Sequence, residues 1–167
     1  MINGKRVLAI IPARGGSKWL PGKNIKPFNG RPLRPLIYYT LDAACAVVRP
    51  ENICVSTDAD EIINKVKEYG LDVPFKRPQH LATDTAGIYE VLLHALDFYE
   101  SEGRHFNKII LLQPTSPFRT SRHITEAFAL YHPGLDMVVS VKETKANPYY
   151  TLFEENKAGY LVPSKRC

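Results

Sequence analysis

Between Arg14 and Asn24 the chain reads Arg-Gly-Gly-Ser-Lys-Trp-Leu-Pro-Gly-Lys-Asn. Adjacent Gly15 and Gly16 let the backbone approach a ligand closely. Successive free N–H groups in such a loop can cradle phosphate oxygens. Arg14, Lys18 and Lys23 add positive charge, and arginine offers phosphate a two-pronged donor fork. A nucleoside triphosphate suits this arrangement. The loop is not a Walker A motif: five residues separate Gly16 from Gly22, and Asn24 stands where a Ser or Thr hydroxyl would hold Mg²⁺. Nor is it a GxGxxG fingerprint. Many Gly/Lys loops are simply solvated basic surface. This one directly follows an apolar run and has no acid nearby, which favours phosphate binding.

Three further segments carry polar chemistry. In Leu112-Gln-Pro-Thr-Ser-Pro-Phe-Arg119, Gln113 ends an apolar run, two prolines stiffen the loop, and Arg119 supplies a cation. Rigid support of a few polar groups suits a small-molecule site, although a well-made turn before a helix has the same composition. In Arg77-Pro-Gln-His-Leu-Ala-Thr-Asp84, Arg77 can reach a base or a phosphate, Asp84 reads as a helix cap, and His80 as an exposed loop residue. In Ser56-Thr-Asp58, the carboxylate can cap a helix or face a ligand, and capping takes the larger share. No Ser/His/Asp order, Cys/His pair or HExxH suggests a nucleophile or a zinc site.

The elements that must position these residues follow from hydrophobic periodicity. Apolar runs at 7–11, 53–57 and 108–113 read as buried strands, and 136–141 as a fourth. Helical spacing covers 36–48, 59–69 after Asp58, 85–99 after Asp84, and 120 or 121 to 131. Residues 72–75 read as extended, and 149–153 with 159–162 as a hairpin. Strand–helix alternation predicts a three-layer α/β fold, a mainly parallel sheet with helices on both faces. Ligands of such sheets bind beyond the carboxyl ends of the strands. The loops at 12–18, 56–58 and 113–117 should therefore converge. The long loop 13–35 contains a tandem Arg31-Pro-Leu33/Arg34-Pro-Leu36 duplication.

Composition bounds the alternatives. A chain of 167 residues with 44% hydrophobic and 23% charged residues is long and apolar enough for one packed core and argues against disorder. No apolar run approaches the ~18 residues needed to cross a membrane, and the N-terminus lacks a signal-peptide pattern. Net charge is only 22 − 17 = +5, but residues 1–41 hold eight cations and no acid before Asp42. That one-signed field favours an anionic ligand. Aromatic and basic residues do not interleave as nucleic-acid stacking platforms would. Cys45, Cys54 and Cys167 have no CxxC spacing and read as reduced thiols of a cytoplasmic protein.

Taken together and in order, Ile11-Pro-Ala-Arg-Gly-Gly-Ser-Lys18 with Pro21-Gly-Lys-Asn24, Ser56-Thr-Asp58, Arg77-Pro78 with Leu81-Ala-Thr-Asp84, and Leu112 to Arg119 resemble the acylneuraminate cytidylyltransferases, the CMP-sialic acid synthetases. The resemblance runs from about Val7 to Val141. It implies a nucleotide-diphospho-sugar-transferase-like, Rossmann-like fold and a bacterial, cytoplasmic enzyme. The implied reaction is a Mg²⁺-dependent transfer from CTP to a nine-carbon 2-keto sugar acid. By that resemblance Ala13, Arg14, Gly15, Gly16, Ser17, Lys18, Lys23, Asn24 and Arg77 hold CTP. Arg14, Lys23 and Asn24 take the catalytic roles, with Lys23 on the triphosphate and the backbone near Ala13, helped by Arg77, on cytosine. Gln113, Thr115, Ser116 and Arg119 face the sugar. Residues 1–141 would form the nucleotide-binding core, and 142–167 the start of an extension through which family members dimerise. No metal ligand is expected in this chain; the paired aspartates that hold Mg²⁺ fall beyond residue 167 of the family pattern.

Two positions depart from that pattern: Gly87 where Ser is frequent, and Tyr150 where sialic-acid members can carry a basic residue. Legionaminic and pseudaminic acids therefore stand beside sialic acid as acceptors. Kdo fits less well, because Kdo enzymes usually carry an acidic residue in the Gln113 loop. A non-catalytic nucleotide-binding module is a further alternative, and a nucleic-acid-binding protein, resting on the basic N-terminal segment alone, is the outsider.

Overall fold

The computed structural model describes residues 6–18, 20–28, 33–141, 143 and 153–163, in two units, 1–129 and 130–167. The first unit is organised around strand β1 (Val7–Pro12), which is buried from Val7 to Ile11. A strand apolar on every side must be covered on both faces and paired on both edges. Its edges pair in parallel with β4 (Ile53–Ser56), from Ala9 opposite Ile53 to Pro12 opposite Ser56, and with β5 (Lys108–Leu111), from Val7 opposite Lys108 to Ile10 opposite Leu111. The order β4-β1-β5 places β1 at the centre.

The pleat divides β1 between two cores. Ala9 and Ile11 pack with Ile37 and Leu41 of helix α1 (Leu36–Cys45), Ile62 and Val66 of α2 (Asp60–Tyr69), and Ile124 of α4 (Ser121–Leu130). Leu8 and Ile10 face the other way, with Cys54, against Ala95 and Tyr99 of α3 (Ile88–Ser101). These are the three layers that the strand–helix alternation predicts.

A short antiparallel ribbon, β2 (Pro27–Phe28) with β3 (Arg34–Pro35), brings the chain into α1. Here the second half of the duplicated Arg-Pro-Leu has a structural task. Pro35 precedes the first turn of α1, Leu36 is buried, and the Arg34 fork donates to both Asp42 carboxylate oxygens at 2.8 and 3.1 Å. Tyr69 donates to the same carboxylate at 2.6 Å, so the pair ties α1 to the end of α2. Arg31 and Pro32 of the first copy lie outside the described residues, and Leu33 is exposed. Burial raises the Asp42 pKa, but the Arg34 and Tyr69 hydrogen bonds outweigh it and the net direction is down.

Some boundaries differ from the periodicity. Helix α3 begins at Ile88 with Gly87 at its N-cap, not after Asp84, and α2 has Ala59 at its N-cap with no side-chain cap. Both aspartates have other partners, described below. Helix α1 ends at Cys45, and a turn carries the chain on to buried Val48. Residues 136–141, expected as a fourth strand, pair with no described strand, and Met137, Val139 and Val141 are exposed. An apolar run marks a candidate strand, but a strand also needs a ladder partner for its N–H groups. The Cys54 thiol is pushed up to about 12 by burial, and that of half-buried Cys45 is also raised by burial, so both are poor nucleophiles. Cys167 lies outside the described residues.

In the second unit, β6 (Phe153–Glu155) and β7 (Leu161–Pro163) form the hairpin. The Asn156 side chain accepts N–H bonds from Ala158 and Tyr160, and Gly159 takes φ +82° to close the turn. Most of the expected first strand, 149–152, lies outside the described residues.

Leu41 is fully buried between α1 and the sheet. Leu41→Ala is expected to cost about 2–5 kcal/mol in denaturant unfolding. The lowered Asp42 pKa means that its pairing stabilises the fold above the ordinary carboxylate value and fades as pH falls through the depressed one. Thermal melts from about pH 7 down to pH 2 should show Asp42→Asn less stable than wild type near neutrality, with the two converging at the acid end.

Candidate active site

A cavity of about 250 Å³ opens at the carboxyl ends of the parallel strands. Three stretches of chain line it, and each is held from behind. The first is the glycine loop. Ala13 at its root is buried and donates its N–H to the Ser56 carbonyl at 2.9 Å, extending the β1–β4 ladder by one rung. Gly15 donates its N–H to Asp58 Oδ1 at 2.9 Å. A Cβ on Gly15 would stand 2.6 Å from Ala59 Cβ, so only glycine lets the loop lie against the start of α2. A Cβ on Gly16 would meet nothing within 4 Å. The two glycines thus do different work: Gly15 packs, and Gly16 is exposed.

Asp58 is therefore not a cap. Its carboxylate reaches back to the loop, while Thr57 Oγ1 accepts the Ala59 N–H at 3.2 Å. Asn24 is buried and joins two ends of the loop: its side-chain amide donates to the Arg14 carbonyl at 3.0 Å, and its own carbonyl accepts the Ile37 N–H at 2.8 Å. Lys23 sits in the preceding turn, where Gly22 has φ +66° and its carbonyl accepts N–H bonds from Ile25 and Lys26. Arg14, Ser17, Lys23 and Asn24 line the cavity.

The second wall runs from Arg77 to Val91. Arg77 is 5% exposed and largely occupied. Its Nε donates to Ser56 Oγ at 2.9 Å, Nη2 to the Ser56 carbonyl, and Nη1 leans on the Leu81 carbonyl at 3.4 Å. Burial lowers its pKa, opposed by the nearby Asp58 carboxylate. The guanidinium pins the 77–82 segment to the end of β4 while one side faces the cavity.

Asp84, expected as a helix cap, is instead a counter-ion. Its two oxygens pair with Arg14 Nη2 at 2.6 Å and Lys18 Nζ at 2.5 Å. Hydrogen bonds from Lys18 and then Arg14 hold its pKa below the usual carboxylate range. Its contact with the glycine loop crosses 66 positions (84 − 18) and leaves no local sequence signal. The density of turn residues from Thr83 to Gly87 was the available hint: Thr83 Oγ1 accepts the Ala86 N–H at 3.1 Å and holds a turn where a helix was expected.

The third wall is Gln113, Pro114 and Thr115. The Gln113 carbonyl accepts the Ser116 N–H at 3.3 Å and Arg119 Nη2 at 3.1 Å, which braces the loop and leaves the Gln113 amide exposed. Ser116 and Arg119 stand behind Gln113 and do not line the cavity. Burial lowers the Arg119 pKa, and its Nη1 is buried with no partner among the described residues. Ala13, Gly15, Gly16 and Lys18 also lie off the cavity wall. Of the three strand ends expected to converge, 12–18 and 113–117 border the cavity, whereas 56–58 supports from beneath through Ser56 and Asp58.

The result is a crevice lined by Arg14, Lys23 and Arg77, with Asp84 as the single carboxylate on its wall. Such a site suits a multiply charged anion. Among the described residues no three His, Cys, Asp or Glu side chains are grouped, and Asp84 is engaged by Arg14 and Lys18.

The Cytidylyltransferase family model matches residues 8–157. The CMP-N,N'-diacetyllegionaminic acid synthase of Legionella pneumophila is 37% identical over 158 residues, 95% of this chain and 67% of that protein. The N-acylneuraminate cytidylyltransferase of Escherichia coli is 39% identical over 142 residues, 85% of this chain but only 32% of that protein. A solved cytidylyltransferase of Leptospira borgpetersenii superposes with a TM-score of 0.57 at 24% identity, covering 76% of this chain and 49% of that one, a likeness of fold. The chain thus spans about two thirds of the first relative and about a third of the second.

The two glycines offer a direct check. Gly15→Ala should lower the melting temperature by several degrees, because the Cβ meets Ala59. Gly16→Ala should melt within about a degree of wild type, since its Cβ enters open space.

Proposed function

The chain belongs to the cytidylyltransferase family, and from that premise we propose that it activates a nine-carbon 2-keto sugar acid with CTP, giving the CMP-sugar and pyrophosphate. The carrying observation is the cation-lined crevice at the strand ends, where Gln113, on a loop braced by Arg119, lines the same cavity as Arg14 and Lys23. In this reading the triphosphate lies against Arg14, Ser17 and Lys23 on the cavity wall, with exposed Gly16 leaving the loop open beside them. Arg77 and the backbone near Ala13 shape the nucleoside end, and Asn24 holds the loop that carries Arg14. Gln113 and Thr115 orient the acceptor, with Ser116 and Arg119 supporting their loop.

The anomeric hydroxyl oxygen attacks the α-phosphorus. The bond to the β-phosphate bridging oxygen breaks, pyrophosphate leaves with that electron pair, and the hydroxyl proton passes to solvent. Protein groups position the reactants and neutralise charge on the departing phosphates. Mg²⁺ belongs to the proposal only as a companion of the nucleotide, because the described side chains form no cage for it. The legionaminic and N-acylneuraminic relatives support a nonulosonic acid acceptor. Homodimerisation and a cytoplasmic setting, where CTP is made, complete the proposal; no described helix is long and apolar enough to cross a membrane.

Calorimetric titration with CTP, ATP, GTP and UTP, with and without Mg²⁺, tests the reading. Selective CTP binding is expected, and Lys23→Ala should weaken it by roughly tenfold. Equal affinity for all four nucleotides would refute the cytidine assignment; unchanged affinity in Lys23→Ala would refute the role of that lysine.

A further inference from the structure

Asp84 contacts two cations of the loop that the proposed function gives to the triphosphate. One carboxylate oxygen sits on Arg14 and the other on Lys18, at 2.6 and 2.5 Å, lengths typical of charge-assisted bonds. A phosphate oxygen would make the same contacts from the same direction. Lys23, also on the cavity wall, has no ion-pair partner among the described residues. The carboxylate thus lies on the side of the loop where anion charge is expected.

The segment that carries Asp84 is built to shift without unpacking the core. Its upstream end is held by Arg77 on the Leu81 carbonyl and by buried Ala82, and its downstream end by the start of α3 at Ile88. Between them, residues 83–87 are exposed or half-buried, and the hydrogen bonds within the turn are local ones on Thr83 Oγ1, from the Ala86 N–H at 3.1 Å and with the Thr85 hydroxyl at 3.2 Å. Moving Asp84 away from Arg14 and Lys18 breaks two solvent-exposed ion pairs and no packed contact of the cores.

We propose that Asp84 is an internal stand-in for phosphate: it occupies Arg14 and Lys18 while the crevice is free of ligand, and the polyphosphate must displace it. This rests on the triphosphate reading of the loop and adds a selectivity device to it. A single carboxylate charge competes weakly with the several charges of a triphosphate and effectively with a ligand that brings few. Asp84 therefore discriminates by charge, and its return to the two cations helps release the pyrophosphate product. Binding linkage requires that removing the competitor tightens the ligand that it excludes.

The experiment titrates the whole chain, as wild type, Asp84→Asn and Asp84→Ala, with inorganic tripolyphosphate, CTP and cytidine in Mg²⁺-free buffer. Melting curves confirm that all three proteins are folded. Both variants should bind tripolyphosphate and CTP roughly fivefold more tightly than wild type, the size expected for relief of partly exposed ion pairs. Cytidine affinity should not change. Equal or weaker polyphosphate binding in the folded variants overturns the proposal, as does equal tightening of cytidine, which would mean a general loosening of the loop. Absence of polyphosphate binding in all three proteins overturns it together with the triphosphate reading. Wild type that binds tripolyphosphate as well as CTP removes only the cytidine assignment and leaves the Asp84 comparison decisive.

Discussion

Strand β1 has no side that tolerates water. Val7 to Ile11 are buried, two parallel neighbours occupy its edges, and helices cover both of its faces. That demand fixes where the polar chemistry can go. The chain can become polar only where β1 leaves the sheet, at Pro12, and the cation-bearing loop begins there. β4 and β5 end beside it for the same reason, so their exits, Ser56 to Asp58 and Gln113 to Thr115, come close to the loop. The crevice is a consequence of how the core closes.

Around that crevice the polar groups fall into two kinds. Ser56, Asp58 and Asn24 satisfy backbone or guanidinium groups of neighbouring segments and carry the loops: Ser56 serves Ala13 and Arg77, Asp58 serves Gly15, and Asn24 serves Arg14 and Ile37. Arg14, Lys18 and Lys23 stay nearer solvent, where exchanging one anion for another costs little desolvation. Arg77 belongs to the first kind despite its charge, because most of its donors are occupied beneath the site. Cations of the same apparent promise in the sequence thus have different freedom to meet a ligand.

The second half of the Arg-Pro-Leu duplication shows a similar division. Arg34 donates to Asp42, whose carboxylate also accepts the Tyr69 hydroxyl and so holds α1 to α2, and this member of the basic N-terminal segment is structural. The one-signed charge of residues 1–41 is a property of the segment and does not say what each cation in it does. A guanidinium with a carboxylate two helical turns away has a local partner; among the described residues Arg14 finds its carboxylate in distant Asp84.

The sequence by itself determined the layered α/β plan, because continuous apolar runs and helical spacings are local patterns that every residue reports directly. It also determined the glycine loop, the Gln113 loop and their place at strand ends. Tertiary structure alone decided what Asp58 and Asp84 do. A capping aspartate and one that crosses to another loop look the same along the chain, and the difference lies in the bonds to Gly15, Arg14 and Lys18. It alone separated Gly15, pressed on Ala59, from open Gly16, and among the described residues it gives the apolar run 136–141 no strand partner. Partner choice is a property of distance in space, and periodicity carries no information about which distant segment will be near.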